Sequence, residues 1–147
     1  MGVGDQVSFY NNWFHDTSGR SPDIGGTATW HFFNNLFTNV AGAFPTWPEP
    51  SIEVERNYFE MTENIGAGDN GSLTYYVTAD TSAECEQAIG RPCVDQFLAP
   101  AVLPSGVLAA FAGQTDINVM PAADVKDHVI ANAGTGKIEG ARYKCRI

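Results

Sequence analysis

Arg20 lies in a segment whose residue types could do chemistry. Residues 15–22 read HDTSGRSP, and carboxylates stand nearby at Asp16 and Asp23. A guanidinium beside a carbonyl group could stabilise negative charge that develops on the oxygen during a reaction. An Arg is a poor base, because its pKa lies above roughly 12. From these residues alone, the simpler interpretation is a turn residue in an ion pair with Asp16 or Asp23.

Other polar and aromatic residues could contribute to a site. His15 could approach Arg20 across the turn, although a single His in such a place is more often a hydrogen-bonded surface residue. Trp47 lies between two prolines on a predicted loop and could stack on a sugar ring. Glu53 and Glu55 share one face at strand spacing, which could suggest the carboxylate pair of a glycosidase. We expect solvated charges there instead.

Three cysteines leave two interpretations open. Cys85 and Cys93 flank a short segment containing Gly and Pro that could close as a small disulfide loop, which would leave Cys145 unpaired. The alternative is three reduced thiols, since cytosolic proteins also carry scattered cysteines. Asn70 begins an NGS sequon for N-glycosylation, a triplet that is common by chance.

An internal repeat supplies the elements that must position these side chains. The repeated units are VSFYNNWF at 7–14, WHFFNNLF at 30–37 and IEVERNYF at 52–59. A period of this length with a strand-like centre indicates a solenoid, in which each coil buries its face against its neighbours. Strand alternation makes one set of positions inward and leaves Ser8, His31 and Glu53 outward. The predicted inward stacks are Val7–Trp30–Ile52, Phe9–Phe32–Val54 and Phe14–Phe37–Phe59.

The turns of the predicted coils carry a recurring Asn. Asn12, Asn35 and Asn57 recur at 23 and 22 residues. Asn tolerates the left-handed backbone, and its amide can bond to the Asn of the next coil. A leucine-rich repeat shares this period, but it requires a further upstream leucine that none of the units has. The aromatic and β-branched residues of the units favour stacked strands.

The repeat predicts one all-β domain over residues 1–147, with three clear coils at 7–66. Residues 67–147 are expected to hold a last strand at 72–77 and an irregular arm over 79–116.

A helix is predicted near the end of the chain. Pro121 opens it, and Gly134 is placed to end it. Val125, Val129 and Ile130 share one face of this helix. It would therefore fold back as a covering element over the solenoid.

Four features in chain order resemble the polysaccharide lyases of the pectin lyase type. Residues 15–22 look like the active-site segment of that family, and the paired Asn before aromatic residues looks like its coil pattern. CEQAIGRPC at 85–93 resembles its C-terminal disulfide loop, and VIANAGTGK at 129–137 resembles its closing segment. The resemblance extends over nearly the whole chain and implies a right-handed parallel β-helix, matching the C-terminal portion of such an enzyme.

This resemblance implies eliminative cleavage of methyl-esterified galacturonan. A base removes the C5 proton, which the adjacent ester carbonyl acidifies, and the O4-linked sugar leaves. In this family the base is taken to be the Arg of the Gly-Arg-Ser-Pro segment, which here is Arg20. Asp23, His15 and Trp47 of this sequence are candidates for substrate binding. The resemblance also implies a bond between the cysteines of 85–93, secretion, a pectin polysaccharide as partner, and no cofactor.

The chain departs from the family pattern after Pro22. Pectate lyases carry further basic residues there and hold calcium between enzyme and substrate carboxylates, whereas this chain continues with Asp23 and has no second Arg. The departure argues against pectate and against a metal, so a calcium-dependent pectate lyase is the less favoured alternative. A carboxylate at Asp23, where pectin lyases usually have a basic residue, would hold Arg20 more firmly protonated.

Other cleft residues of the family lie on coils that precede this segment, and they are absent from this sequence. We therefore expect a fragment, truncated on its N-terminal side, of an enzyme that would be a monomer when complete. A non-catalytic remnant that at most binds pectin is the alternative. The chain begins without a secretion signal of its own.

Charge and hydropathy exclude two classes of partner. The net charge is −9, from 17 acidic and 8 basic residues. Without a cluster of Lys and Arg, such a chain repels phosphate backbones, so nucleic acid and anionic membrane surfaces are poor candidates. The longest apolar run, at 107–112, is far too short to span a bilayer.

Overall fold

Parallel strands dominate the structure, a computed structural model that describes residues 4–44, 51–63, 65, 73–93, 112–113 and 119–134. Seven strands and two helices lie within these ranges. In chain order they are β1 (Gln6–Tyr10), β2 (Trp13–Ser21), β3 (Thr29–Phe33), β4 (Leu36–Ala43), β5 (Ser51–Glu55), β6 (Tyr58–Thr62), β7 (Leu73–Tyr76), α1 (Ser82–Ile89) and α2 (Ala122–Asn132).

The strands form two parallel sheets that share the same coils. One sheet has the order β1-β3-β5-β7 and the other has the order β2-β4-β6. Every described pairing between strands is parallel. Since consecutive coils each add one strand to each sheet, the chain forms part of a parallel β-helix, which confirms the predicted fold class.

The strand register confirms the predicted inward stacks. Val7 pairs with Trp30 and Trp30 with Ile52, while Phe37 lies between Phe14 and Phe59 in the second sheet. Phe9, Phe32 and Val54 align in the same way. A slip of one residue would move every apolar side chain to the other face, so burial of this set specifies the register.

Aromatic rings fill the core between the two sheets. The Phe14 and Phe37 rings stack at 4.7 Å between centroids, and the Phe37 and Phe59 rings stack at 4.9 Å. Phe44, just after β4, meets Phe37 edge-on at 5.2 Å. Offset stacks and edge contacts are the arrangements that aromatic pairs prefer. The core is thus a column of rings that runs through three coils.

The left-handed bends between the two strands of each coil lie one residue earlier than predicted. Asn11, Asn34 and Arg56 adopt the left-handed backbone, with φ of 58°, 55° and 50°. The residue that follows each of them is the recurring Asn of the repeat. The prediction assigned both the bend and the amide bond to one residue, whereas the structure divides them between two neighbours.

The recurring Asn side chains form a ladder of amide hydrogen bonds. Asn12 Nδ2 donates to Asn35 Oδ1 at 3.0 Å, and Asn35 Nδ2 donates to Asn57 Oδ1 at 2.9 Å. The backbone N–H groups of Asn12 and Asn35 donate to the same two oxygens. The predicted bond between Asn residues of successive coils is therefore confirmed.

A second column of bends divides each strand of the β2-β4-β6 sheet. Asp16, Asn39 and Met61 are left-handed, with φ of 54°, 54° and 50°. Asn39 Nδ2 donates to Asp16 Oδ1 at 2.8 Å, which links two of these bends. The column was not predicted. It turns residues 17–21 onto a different side of the solenoid from the start of β2.

Helix α2 folds back over the solenoid as predicted. Val125 and Val129 are buried against Leu36, and Lys126 Nζ lies 2.7 Å from Glu60 Oε2. Ile130, which was expected on the same face, is exposed instead. Neither described helix is long and apolar enough to cross a membrane.

Helix α1 lies within the arm that was expected to be irregular. Cys85 and Ile89, four residues apart, form its buried face. The helix ends at Gly90, which is left-handed with φ of 88° and donates its N–H to the Glu86 carbonyl. This ending is a common way for a helix to stop. With only eight residues, the helix has too short a pattern to stand out in the sequence.

Replacing Asn35 tests the ladder. Asn35→Ala should lower the free energy of unfolding by about 2 kcal/mol or more, since several hydrogen bonds of about 1 kcal/mol each are lost and buried groups lose their partners. Asn12→Ala is the matched control, because Asn12 is only half-buried. In urea unfolding, Asn12→Ala should lower the free energy of unfolding by less than Asn35→Ala does. Equal losses would contradict the ladder as a source of stability.

Candidate functional site

Arg20 lies exposed near the end of β2. Its side chain is 57% exposed, and its Nη1 lies 3.0 Å from Asp23 Oδ2. The sequence left Asp16 and Asp23 as alternative partners. The structure pairs Arg20 with Asp23, while Asp16 bonds to Asn39 and His15.

Buried residues on both sides of the Pro22–Asp23 turn hold the Arg20 segment in place. Ser21 is almost fully buried, and its hydroxyl lies 2.7 Å from that of Thr17. Ile24 inserts into the core cluster beside Phe32 and Phe44. The core thereby anchors the turn, while the two charged side chains remain in solvent.

Two glycines lie next to Arg20 on the backbone of the sheet. Arg20 pairs in register with Gly42 on β4, and Gly19 precedes it. A Cβ added at Gly19 would meet nothing within 4 Å, and one at Gly42 would meet only the Gly19 carbonyl oxygen, at 3.7 Å. The backbone next to Arg20 is therefore not covered at these two glycine positions.

A shallow groove of about 270 Å³ lies near Arg20 in the chain. Its lining includes Ser18, two residues before Arg20. It follows the second column of bends across the coils. Its described lining includes the carboxylates of Asp16 and Glu63 and no Lys or Arg. The lining residues are Asp16, Thr17, Ser18, Asn39, Val40, Ala41, Met61 and Glu63.

His15 lies on the other side of the bend at Asp16, outside the Arg20–Asp23 ion pair. Its Nδ1 is 3.2 Å from Asp16 Oδ2, and its ring centroid is 4.6 Å from that of Trp13. The pKa of Asp16 is lowered mainly by its hydrogen bond with Asn39 and to a smaller extent by the one with His15. His15 and Trp13 line a wider groove of about 690 Å³, whose wall includes residues of α2.

The remaining predicted residues fall into two groups. Cys85 and Cys93 are joined by a disulfide, with their Cα atoms 5.8 Å apart. Trp47, Asn70 and Cys145 lie outside the described residues.

A buried charged cluster lies on the outward face of the first sheet, where solvated carboxylates were expected. That expectation was wrong, because Glu53 and Glu55 are both 0% exposed and His31 is 1% exposed. Ser8, at the equivalent position of the first coil, is exposed as expected. Contacts from residues 77–93, which we call the disulfide segment, reach this face: Arg91 bonds to Glu55, and Cys85 touches Glu53.

Glu55 is the centre of this cluster. His31 Nε2 lies 2.7 Å from Glu55 Oε1, and both terminal nitrogens of Arg91 bond to the Glu55 carboxylate, one of them at 3.1 Å. Burial opposes the charge of Glu55, but the hydrogen bonds with His31 and Arg91 outweigh it and lower the pKa of this carboxyl. The arrangement is a buried, hydrogen-bonded ion pair.

The cluster does not suit a metal ion. Single atoms of His31, Glu53 and Glu55 lie within 4.8 Å of one another. The Arg91 guanidinium, however, already holds both Glu55 oxygens, and its positive charge opposes a cation. A second grouping, of Glu53 with Cys85 and Cys93, offers no thiolate because these cysteines form the disulfide. Sequence reasoning missed this cluster, since nothing local predicts what covers an outward strand face.

The amino-acid sequence is similar to curated fungal proteins over nearly its whole length. A probable pectin lyase F of Emericella nidulans is 34% identical over 149 residues, which cover 96% of this chain and 32% of the relative. A probable pectin lyase F of Aspergillus oryzae is 36% identical over 144 residues, which cover 93% of this chain and 34% of the relative. The chain is pectin lyase-like over this portion. The family resemblance of the sequence is thereby confirmed.

A third relative extends the pectin lyase-like match to another named group. A probable pectin lyase E of Aspergillus fumigatus is 32% identical over 164 residues, covering 94% of this chain and 40% of the relative. The chain thus spans between about a third and two fifths of the length of these curated relatives. No protein-family model matches the chain.

Two substitutions test what holds the Arg20 turn in place. Ile24→Ala should lower the free energy of unfolding by about 2–4 kcal/mol, because it leaves a cavity in the core. Asp23→Asn should change it by less than about 1 kcal/mol, since the ion pair with Arg20 is exposed. Urea unfolding measures both. A larger loss for Asp23→Asn than for Ile24→Ala would show that the ion pair, and not the core, anchors the turn.

Proposed function

We propose that this chain forms part of a pectin lyase that cleaves methyl-esterified galacturonan by elimination. The observation that carries the proposal is the placement of Arg20. It is an exposed cation near the end of β2, next to an anchored turn, with glycines at positions 19 and 42 and a groove that reaches Ser18. The similarity of the chain to curated pectin lyases supports the same reaction.

The elimination moves one proton and breaks one carbon–oxygen bond. A base takes the C5 proton, whose electrons pass toward the adjacent ester carbonyl and give an enolate. The enolate electrons then form the C4–C5 double bond as the C4–O4 bond breaks, and O4 leaves with a proton. No water is consumed.

Arg20 acts in this proposal by stabilising the enolate oxygen. Asp23 accepts a hydrogen bond from its guanidinium at 3.0 Å, which holds the side chain in one orientation. A fixed cation with several N–H donors suits an oxygen on which negative charge develops. The proposal assigns the removal of the C5 proton to another group, because a guanidinium is in general a poor base.

The charges around the groove favour an esterified polymer over pectate. Asp16 and Glu63 line the groove beside Arg20, and the chain carries a net charge of −9. A polyanionic chain would meet repulsion from both carboxylates, whereas a methyl-esterified chain is nearly neutral. The Cys85–Cys93 disulfide supports secretion, since such bonds persist in oxidising compartments.

Cleavage assays test the role of Arg20. The purified chain is incubated with highly esterified pectin, and the ultraviolet absorbance of unsaturated uronate is followed. Arg20→Ala should reduce the rate by roughly a hundredfold or more, as for loss of an oxyanion donor. Arg20→Lys, which keeps the charge, should lose less. Lys126→Ala is the control, because it removes a cation at α2 instead.

Three results would contradict parts of the proposal. Equal rates for the unsubstituted chain and Arg20→Ala would remove Arg20 from the reaction. Faster cleavage of de-esterified pectate, dependent on added calcium, would favour the pectate lyase alternative. Binding of a methyl-esterified oligogalacturonide, seen as NMR shifts at residues 18–23, without any absorbance change would indicate a non-catalytic pectin-binding chain.

A further inference from the structure

Glu53 is a buried carboxyl group that shares the cations of its cluster with Glu55. It is 0% exposed, and its Oε2 has no hydrogen-bond partner among the described residues. His31 Nε2 lies 3.8 Å from Glu53 Oε2, which is beyond hydrogen-bond distance. An ionised carboxylate in such a place is very costly unless it is paired and hydrogen-bonded.

The cations around Glu53 are committed to its neighbour. Arg91, which follows α1, places both terminal nitrogens on Glu55, and His31 on β3 also bonds to Glu55. Cys85 on α1 also contacts Glu53 and is uncharged, because it is part of the disulfide. One Arg and one His therefore face two carboxyl groups.

The contact with the disulfide also favours a proton on Glu53. Glu53 Oε1 lies 3.5 Å from Cys85 Sγ. A disulfide sulfur carries no hydrogen, so only Glu53 can supply the hydrogen of a bond between these atoms. The geometry thus favours the neutral carboxylic acid at both of its oxygens.

We propose that Glu53 is a protonated carboxylic acid in the folded protein, and that the disulfide segment packs on the sheet only while Glu53 keeps this proton. The segment meets the third coil through Glu53 and Cys85 and through Arg91 and Glu55. Ionisation of Glu53 would place two buried carboxylates against one guanidinium and weaken both contacts. The proposal is independent of the reaction that the protein catalyses.

Electrostatics of the site agree with this geometry. Burial, and then repulsion from Glu55, raise the pKa of Glu53 to about 8, although Arg91 acts in the opposite direction. The ordinary value is 4.5. Between these two values the folded state holds a proton that the unfolded chain has released, so stability falls as pH rises through this range. Glu55, with its lowered pKa, acts in the opposite sense and loses its contribution only in more acidic solution.

The test compares Glu53→Gln with the unsubstituted chain across pH. Gln resembles the neutral acid and does not titrate. Between pH 5 and 8, the folding equilibrium constant of the unsubstituted chain should fall relative to that of Glu53→Gln by up to about tenfold per pH unit. Glu63→Gln, at an exposed carboxyl, is the matched control and should keep the pH profile of the unsubstituted chain.

A local readout separates the disulfide segment from the rest of the fold. Hydrogen exchange at the α1 amides, corrected for the intrinsic dependence on pH, should show weaker protection of α1 as pH rises from about 5 to about 8, because the opened segment releases the Glu53 proton over this range. In Glu53→Gln the protection of α1 should stay constant. Protection that does not change with pH in the unsubstituted chain would overturn the link between the proton and packing of the segment.

Infrared spectroscopy of the unsubstituted chain detects the proton directly. A carbonyl band of a buried carboxylic acid should be present at pH 7, shift in D₂O, and disappear above the pH at which Glu53 ionises. It should be absent from Glu53→Gln. No such band in the unsubstituted chain at pH 7 would overturn the assignment, even if Glu53→Gln failed to fold.

Discussion

The whole structure depends on hydrogen bonding between successive coils in one fixed register. Parallel strands supply most of these bonds, and the amides of Asn12, Asn35 and Asn57 continue them through the corner where the strands end. Without such side chains, a sharp turn stacked on other turns would leave backbone groups unsatisfied. The amide ladder keeps the coils aligned at the corner, so the aromatic column between the sheets can pack ring upon ring.

This alignment also determines where Arg20, the proposed catalytic residue, lies. The second column of bends carries residues 17–21 around the solenoid, and the core holds the following turn through Ile24. Arg20 therefore has a defined position although its side chain is exposed. Rigid elements place functional groups more reproducibly than mobile loops do, and here an exposed turn gains that rigidity from buried neighbours on both sides.

Whether the sequence could predict a contact depends on how far apart the two residues are along the chain. The stacks of Val7, Phe9 and Phe14 with their counterparts could be predicted, because they follow from a repeat and from strand alternation. The choice of Asp23 over Asp16 as partner of Arg20 depends on the turn conformation, which the residue types left open. Burial of Glu53 could not be predicted, since it depends on a segment more than thirty positions later, Cys85 being 32 residues away. Local sequence patterns determine the coils, whereas segments distant in the sequence determine which surfaces of the coils become buried.

The disulfide segment gives equivalent positions of the repeat different environments. Ser8, His31 and Glu53 occupy one outward row, yet the first is in solvent and the last is in the protein interior. Substitutions at these three positions will therefore be tolerated to different extents, although their backbone positions are equivalent. A sequence profile averaged over the three coils would not show this difference. Evolution along such a solenoid is constrained separately for each coil, according to the chain that lies across it.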